Sequence, residues 1–314
     1  MSHEPPMTAR YDNETAIRLG NDTDDSSEGR DVDFPLTREE TEALVRAALE
    51  EDRAFEDVTT LATVPEDVRA AARMVARADG VIAGLPLAVV AFRLLSASVK
   101  VHVVAWDGSR VTRGDAVLEL EGPARALLSA ERIALNFVQR LSGVATLTAR
   151  YVDAVRGTRA QILDTRKTTP TLRALEKYAV RCGGGTNHRM DLASAVLVKD
   201  NHLAAVGGDI AEAVRRSRAM AAEGTRVEVE CDDAAQVAAA ADAGADIILL
   251  DNMTPDEMRE CVTIVAGRAL TEASGGITLA AARAVAEAGV DLISVGALTH
   301  SAPALDVALD FTGE

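Results

Sequence analysis

The sequence predicts two α/β bodies: an N-terminal mixed α/β, sandwich-like domain, then a C-terminal incomplete TIM-like α/β barrel. Three observations carry this. Beyond residue 145, short apolar runs alternate with Ala-rich segments of helical composition that end in glycine, the rhythm of βαβ units and a parallel sheet. Two of these units resemble each other, ADAGADIILLDN from Ala241 and AEAGVDLISVGA from Ala286. No GxGxxG fingerprint of a dinucleotide-binding sheet is present, which favours a barrel.

Residues 1–33 are acid-rich, poor in large apolar residues and without periodicity, and read as a disordered acidic tail. The first domain, 34–142, opens with a helix capped by Thr37, with Glu40 as capping-box partner and Leu44, Val45 and Ala48 as its buried face. From about 70 to 125 the pattern is strand-like, with turn signals at Asp79-Gly80, Asp107-Gly108 and Gly114-Asp115. A long helix then runs from Ala124 through Asn136 toward Leu141 and joins the halves. In the barrel, 143–300, six runs read as strands rather than eight. They are QILDTR (161–166), AVLVK (195–199), VEVEC (227–231), DIILLD (246–251), LTEAS (270–274) and DLISVG (291–296). The segment 301–314 is expected to pack back on the first domain.

Among 314 residues, 33 are Lys or Arg and 49 are Asp or Glu, a net charge of −16 that disfavours nucleic-acid or membrane-surface binding. Cys182, Cys231 and Cys261 form no CxxC, which points to a reducing compartment with no disulfide framework or cysteine zinc site. The apolar stretch 80–106 is broken by Pro86, Arg93 and Lys100, and the first thirty residues lack a signal-peptide core. The chain reads as soluble and cytoplasmic.

The chemistry gathers at the ends of the barrel strands: Arg166 and Lys167, Lys199, Glu230, Asp251, Glu272 and Ser274, then Gly296. The C-terminal ends of parallel strands converge on one face, where barrel enzymes place their active sites. Only four lysines occur, Lys100, Lys167, Lys177 and Lys199, and three fall between 167 and 199. With Arg166, Arg173, Arg181, His188 and Arg189 they make a cationic cluster suited to focusing anions. Arg173, Lys177 and Arg181 share one helical side, either a solvated face or an anion contact. CGGGTNHR (182–189) suggests close backbone approach to a ligand, and Asn187 and Arg189 beside His188 favour ligand contact there. ASGGIT (273–278) and SVGALT (294–299) follow the last two strands, where barrels build phosphate cradles. Glu230 and Asp251 are the acidic pair for Mg²⁺, directly or through water, or for ribose hydroxyls; otherwise they pair with the nearby cations. His3, His102, His202 and His300 show no metal-ligand spacing, and there is no P-loop or Ser-His-Asp set.

ERIALNFVQRLSGVAT (131–146), ILDTRKTTPTLRALEKYAVRCGGGTNHRMDL (162–192), VLVKDNH (196–202), VEVEC, LLDNM, EASGGIT and VGALTHSAPALD together resemble the quinolinate phosphoribosyltransferases, the carboxylating nicotinate-nucleotide pyrophosphorylases. The likeness runs from about Leu36 to Phe311 and takes in EDRAFEDVTT (51–60) and ARADGVIAG, departing locally at 53–56, where the family usually has glycines. It implies a decarboxylating transfer from phosphoribosyl pyrophosphate, with Mg²⁺, to quinolinate, giving nicotinate mononucleotide, pyrophosphate and CO₂ for de novo NAD biosynthesis. Carried over position by position, Arg132, Arg166, His188 and Arg189 bind the quinolinate carboxylates, and Thr165 lines the substrate. Lys167 and Lys199 lie between the substrates; Glu230 and Asp251 face the ribose and its metal. These last four are the implied catalytic set. Ser274, Gly275 and Gly276, with Val295, Gly296 and Ala297, hold the phosphate. Arg132 reaches a neighbouring subunit's site, which implies a homodimer. Three rivals stand beside this reading: the paralogous family associated with molybdenum transport, a Schiff-base aldolase using Lys199 or Lys167, and a non-catalytic anion-binding module.

Overall fold

The computed structural model describes residues 32–312; residues 1–31, most of the acidic tail of the sequence reading, and residues 313–314 lie outside them. The first elements are α1 (Arg38–Glu51), α2 (Val58–Thr63), β1 (Arg69–Ala76), β2 (Gly80–Val81), α3 (Leu85–Leu95), β3 (Lys100–Val103), β4 (Arg110–Val111), β5 (Ala116–Pro123) and α4 (Ala124–Ala154). After them come β6 (Gln161–Leu163), α5 (Arg173–Cys182), β7 (Val196–Val198), α6 (Asp200–Ala205), α7 (Ile210–Met220), β8 (Val227–Cys231), α8 (Ala234–Asp242) and β9 (Ile247–Asp251). The chain closes with α9 (Pro255–Val265), β10 (Leu270–Ser274), α10 (Leu279–Glu287), β11 (Leu292–Ser294), α11 (Ala297–His300) and β12 (Val307–Thr312). Two compact units result. One takes the chain up to Leu147 together with Ala174–Gly183 and the residues from Ala302; the other takes Thr148–Arg173 and Gly184–Ser301.

In the first unit α1 starts where its capping box dictates: the Glu40 N–H donates to Thr37 Oγ1 at 3.2 Å and the Thr37 N–H to Glu40 Oε2 at 2.8 Å. Its buried residues are Thr41, Val45 and Leu49, with Leu44 and Ala48 half-buried at the edge of that face. An antiparallel sheet ordered β12-β1-β5-β3 buries Met74 opposite Leu118 and Ala72 opposite Leu120. The strand-like reading of 70–125 missed α3. Its signals are Pro86 in the first turn and a run of buried apolar residues on all sides, which periodicity alone does not separate from a strand. The buried Asp107 carboxylate holds the start of α3, accepting from Gly84 N–H (2.7 Å), Leu85 N–H (3.2 Å) and Tyr178 O–H (2.7 Å).

Two helices depart from expectation. α4 does not stop near Leu141 but continues to Ala154. Gly143 sits inside it because a Cβ there would collide with the carbonyl of Pro303, so the C-terminal segment can lie directly on the helix. α5 is no solvated basic face: Lys177 is fully buried, and Glu176, also buried, pairs with Arg140 at 2.7 Å. Arg181 lies over the Tyr178 ring at 5.7 Å and donates to the Asp33 carbonyl.

In the second unit all six runs are strands of one parallel sheet, ordered β6-β11-β10-β9-β8-β7. The first strand lies beside the last, as in a barrel, but β6 and β7 do not pair, so the barrel is open there. The Ala-rich segments form α8 and α10, capped by Asp233 and Thr278. Side chains alternate along a strand, so Glu228 and Glu230 share one face of β8, Leu249 and Asp251 one face of β9, and Glu272 and Ser274 one face of β10. Register sets Asp251 beside Ser274 at the strand ends, and Glu272 beside Leu249 one layer below.

Candidate active site

At the C-terminal strand ends the second unit assembles most of the residues read from sequence. Lys199 follows β7; its Nζ forms an ion pair with Glu230 Oε2 on β8. Its backbone N–H donates to His202 Nδ1 at 2.9 Å, which anchors the lysine at the start of α6. Asp251 ends β9, and its Oδ2 accepts from Asn252 Nδ2 at 2.6 Å. At the end of β10, Ser274, Gly275 and Gly276 form a turn with φ of +96° at Gly275 and +58° at Gly276. A Cβ on Gly275 would fall on the Asn252 side chain. Lys167 is exposed; its N–H donates to Thr165 Oγ1 (3.0 Å) and its carbonyl accepts from Thr299 Oγ1 (2.8 Å). Gly296, between buried Val295 and half-buried Ala297, leaves room for the Lys167 stem: a Cβ there would stand 3.2 Å from Lys167 Cδ and 3.1 Å from His300 Nε2.

The segment NHR is built on Asp164, a fully buried carboxylate that the sequence reading gives no role. It accepts from Asn187 Nδ2 at 2.5 Å and from the His188 N–H at 3.0 Å. Both ring nitrogens of His188 face protein groups: Nδ1 accepts the Arg189 N–H at 2.7 Å, and Nε2 lies 3.1 Å from Glu228 Oε2 and 3.6 Å from Glu272 Oε1. Arg189 Nη1 donates to the Ala195 carbonyl at 3.0 Å, while Arg166 Nε is buried with no hydrogen-bond partner. Burial, and then the nearby Arg166 charge, pull the Arg189 guanidinium below its ordinary range.

Glu272 therefore does not stand at the mouth. It is 1% exposed, one layer down, with Glu228 and His188. Burial, and then the Glu228 charge, push its carboxyl up to about 8, against the opposing pull of His188 and Ser294. Glu228 was also missed, although the i, i+2 acids of VEVEC place it on the same face as Glu230. His188, Glu228 and Glu272 are the one group of three metal-ligating side chains among the described residues. Arg132 lies exposed on α4, in the first unit.

The family model described as the quinolinate phosphoribosyl transferase C-terminal domain matches residues 144–310, and that of the N-terminal domain matches 57–142. The chain belongs to the quinolinate phosphoribosyltransferase family. Nicotinate-nucleotide pyrophosphorylase (carboxylating) of Mycobacterium leprae is 44% identical over 286 residues, covering 89% of this chain and 99% of its own length. The probable enzyme of that name from Bacillus subtilis is 45% identical over 241 residues, 77% of this chain and 83% of its own. Among solved structures, the nicotinate-nucleotide pyrophosphorylase from Francisella tularensis has a TM-score of 0.85 at 36% identity, covering 89% of this chain and 98% of that one. NadC from Streptococcus pyogenes has a TM-score of 0.84 at 43% identity, covering 88% and 99%. The departure at 53–56 lies just before the first stretch matched as a quinolinate phosphoribosyltransferase, in a short helical turn where Arg53 has φ 52°. No helix among the described residues is long and apolar enough to cross a membrane.

Proposed function

We propose that this chain is a decarboxylating phosphoribosyltransferase that joins quinolinate to phosphoribosyl pyrophosphate at the strand ends of the second unit. The observation that carries the assignment is the order of groups along consecutive strands. Lys199 follows β7, Glu230 lies on β8, Asp251 ends β9, the Ser274-Gly275-Gly276 turn follows β10, Gly296 follows β11, and Arg166 with Lys167 follows β6. Cations for two polyanions flank carboxylates suited to a developing cation, with backbone donors for a phosphate beside them.

Pyrophosphate leaves C1 of the ribose and carries away the bonding electron pair. Glu230 and Asp251 stabilise the oxocarbenium charge that remains. The quinolinate nitrogen attacks C1, its carboxylates held by Arg166, Arg189 and a neighbouring subunit's Arg132, with His188 fixing the Arg189 turn. The new pyridinium accepts the electrons of the C2–carboxylate bond as CO₂ departs, and C2 then takes a proton from solvent. Lys167 and Lys199 offset the charge of both substrates. Positioning supplies much of the acceleration, because no covalent enzyme intermediate is required. Lys199 is ion-paired with a carboxylate rather than set in an apolar pocket, which disfavours the Schiff-base alternative.

Glu230 and Asp251 fit Mg²⁺. Each uses one oxygen within the protein and offers the other as a hard donor, and two carboxylates are the usual protein share where substrate oxygens and water complete the shell. Magnesium bound there with phosphoribosyl pyrophosphate would offset the pyrophosphate charge. Arg132, exposed on α4, would serve a neighbouring subunit's site in a homodimer.

The test is incubation of the protein with quinolinate, phosphoribosyl pyrophosphate and Mg²⁺, following nicotinate mononucleotide and CO₂ against a nicotinate-only control. Product from quinolinate alone is expected. No product from folded protein would move the substrate to another dicarboxylate.

A further inference from the structure

Asn252 follows Asp251 at the end of β9 and belongs to none of the groups assigned above. It has a left-handed backbone, φ 54°, a conformation that asparagine tolerates better than most residues. Three observations tie it to its surroundings. Its Nδ2 donates to Asp251 Oδ2 at 2.6 Å. Its backbone N–H donates to the Ser274 carbonyl at 3.0 Å. And Gly275, with φ +96°, has its Cα packed so closely on Asn252 that a Cβ would meet the Asn252 side chain, and would stand 2.8 Å from its backbone nitrogen. One residue thus touches the carboxylate on one strand end and the glycine turn on the next.

We propose that Asn252 is a positioning residue that locks the Asp251 carboxylate and the Ser274–Gly276 turn into one rigid subsite for phosphoribosyl pyrophosphate. The inference rests on the functional reading above. Asp251 is half-buried at the mouth, and a carboxylate there can rotate about its side-chain bond. The Asn252 amide holds Oδ2 and so leaves Oδ1 as the outward donor. The left-handed turn directs the Asn252 N–H at Ser274, which fixes where the glycine turn begins.

Substitutions separate the two roles. Asn252→Gly keeps the left-handed backbone and its N–H and removes only the amide. Asn252→Asp keeps the shape and sets a second carboxylate against Asp251 in place of a donor. Kinetics are read for each substrate, and binding of phosphoribosyl pyrophosphate with Mg²⁺ is read by calorimetry. Losing a hydrogen bond to a charged group predicts about a tenfold loss in kcat/KM for phosphoribosyl pyrophosphate in Asn252→Gly, a similar rise in its Kd, and an unchanged KM for quinolinate. Asn252→Asp is expected to lose about 100-fold. Wild-type affinity and kinetics in both variants would overturn the proposal. So would equal losses toward both substrates with a lowered melting temperature, the mark of a merely structural role. A wild-type chain that binds phosphoribosyl pyrophosphate but makes no product would sink the functional reading instead, and the calorimetry would still decide the role of Asn252.

Discussion

Glu272→Gln should stabilise this protein, and increasingly so as pH rises. Glu272 is 1% exposed, His188 Nε2 comes no nearer than 3.6 Å to its Oε1, and Glu228 lies beside it in a group whose ligand atoms fall within 4.8 Å of one another. Burial, and then the Glu228 charge, raise its carboxyl from 4.5 to about 8. The folded chain therefore keeps a proton that the unfolded chain releases above pH 4.5. Stability from this group is fully present below that pH and is lost progressively until the pH passes 8. Each pH unit in the window costs about 1.4 kcal/mol, so from pH 5 to pH 7.5 the wild type loses about 3 kcal/mol that a neutral amide does not lose. The amide carries a donor, as the protonated acid does, and the unpaired Oε1 of Glu228 is an acceptor in the same group.

The assay is calorimetric melting of wild type and Glu272→Gln between pH 5 and pH 8.5. The variant's melting temperature should exceed the wild type's by a margin that grows by about 5–10 °C across that range. A constant difference would mean that Glu272 does not titrate there. A variant less stable at every pH would mean that Glu272 is ionised and bound to a charged His188, and the argument from burial would fail.

Lys199→Ala should lose at least about 100-fold in turnover, because it removes the cation paired with Glu230, whereas Lys100→Ala should stay within about twofold, since Lys100 meets Glu121 only at 3.6 Å on an exposed surface; steady-state rates decide this, and equal effects would refute it. Arg132→Ala and Lys199→Ala, each nearly inactive alone, should regain activity when refolded together if Arg132 serves a neighbouring subunit, because mixed dimers then hold one intact site; no recovery would remove the shared-site dimer. Asp107→Ala should cost about 2–4 kcal/mol in urea unfolding, since it leaves the Gly84 and Leu85 N–H groups and the Tyr178 hydroxyl without their acceptor in a buried setting.

What the sequence makes legible here divides by the range of the interactions that fix it. The Thr37–Glu40 box and the six barrel runs depend on neighbours three residues away or on a single strand's pattern, and the structure keeps every one of them. Lys177 shows the limit: spacings of four put it on one side with Arg173 and Arg181, but nothing local says that Lys177 is fully buried while the two arginines stay half-exposed. The length of α4 fails for the same reason, because Gly143 reads as a weak helix former until Pro303, 160 positions on, is seen to need its missing side chain. The site follows suit. Strand-end charges are visible one run at a time, and the structure places Lys199, Glu230 and Asp251 at the C-terminal ends of neighbouring strands. Asp164, Glu228 and Glu272 were passed over as roles because their work is done on His188, its neighbours and one another, across strands that only the register brings together. Asn252 is the same case in miniature. Beside Asp251 it is an ordinary turn residue, and only the neighbouring strand, which delivers Gly275 against its side chain, turns it into the clamp between two halves of a subsite.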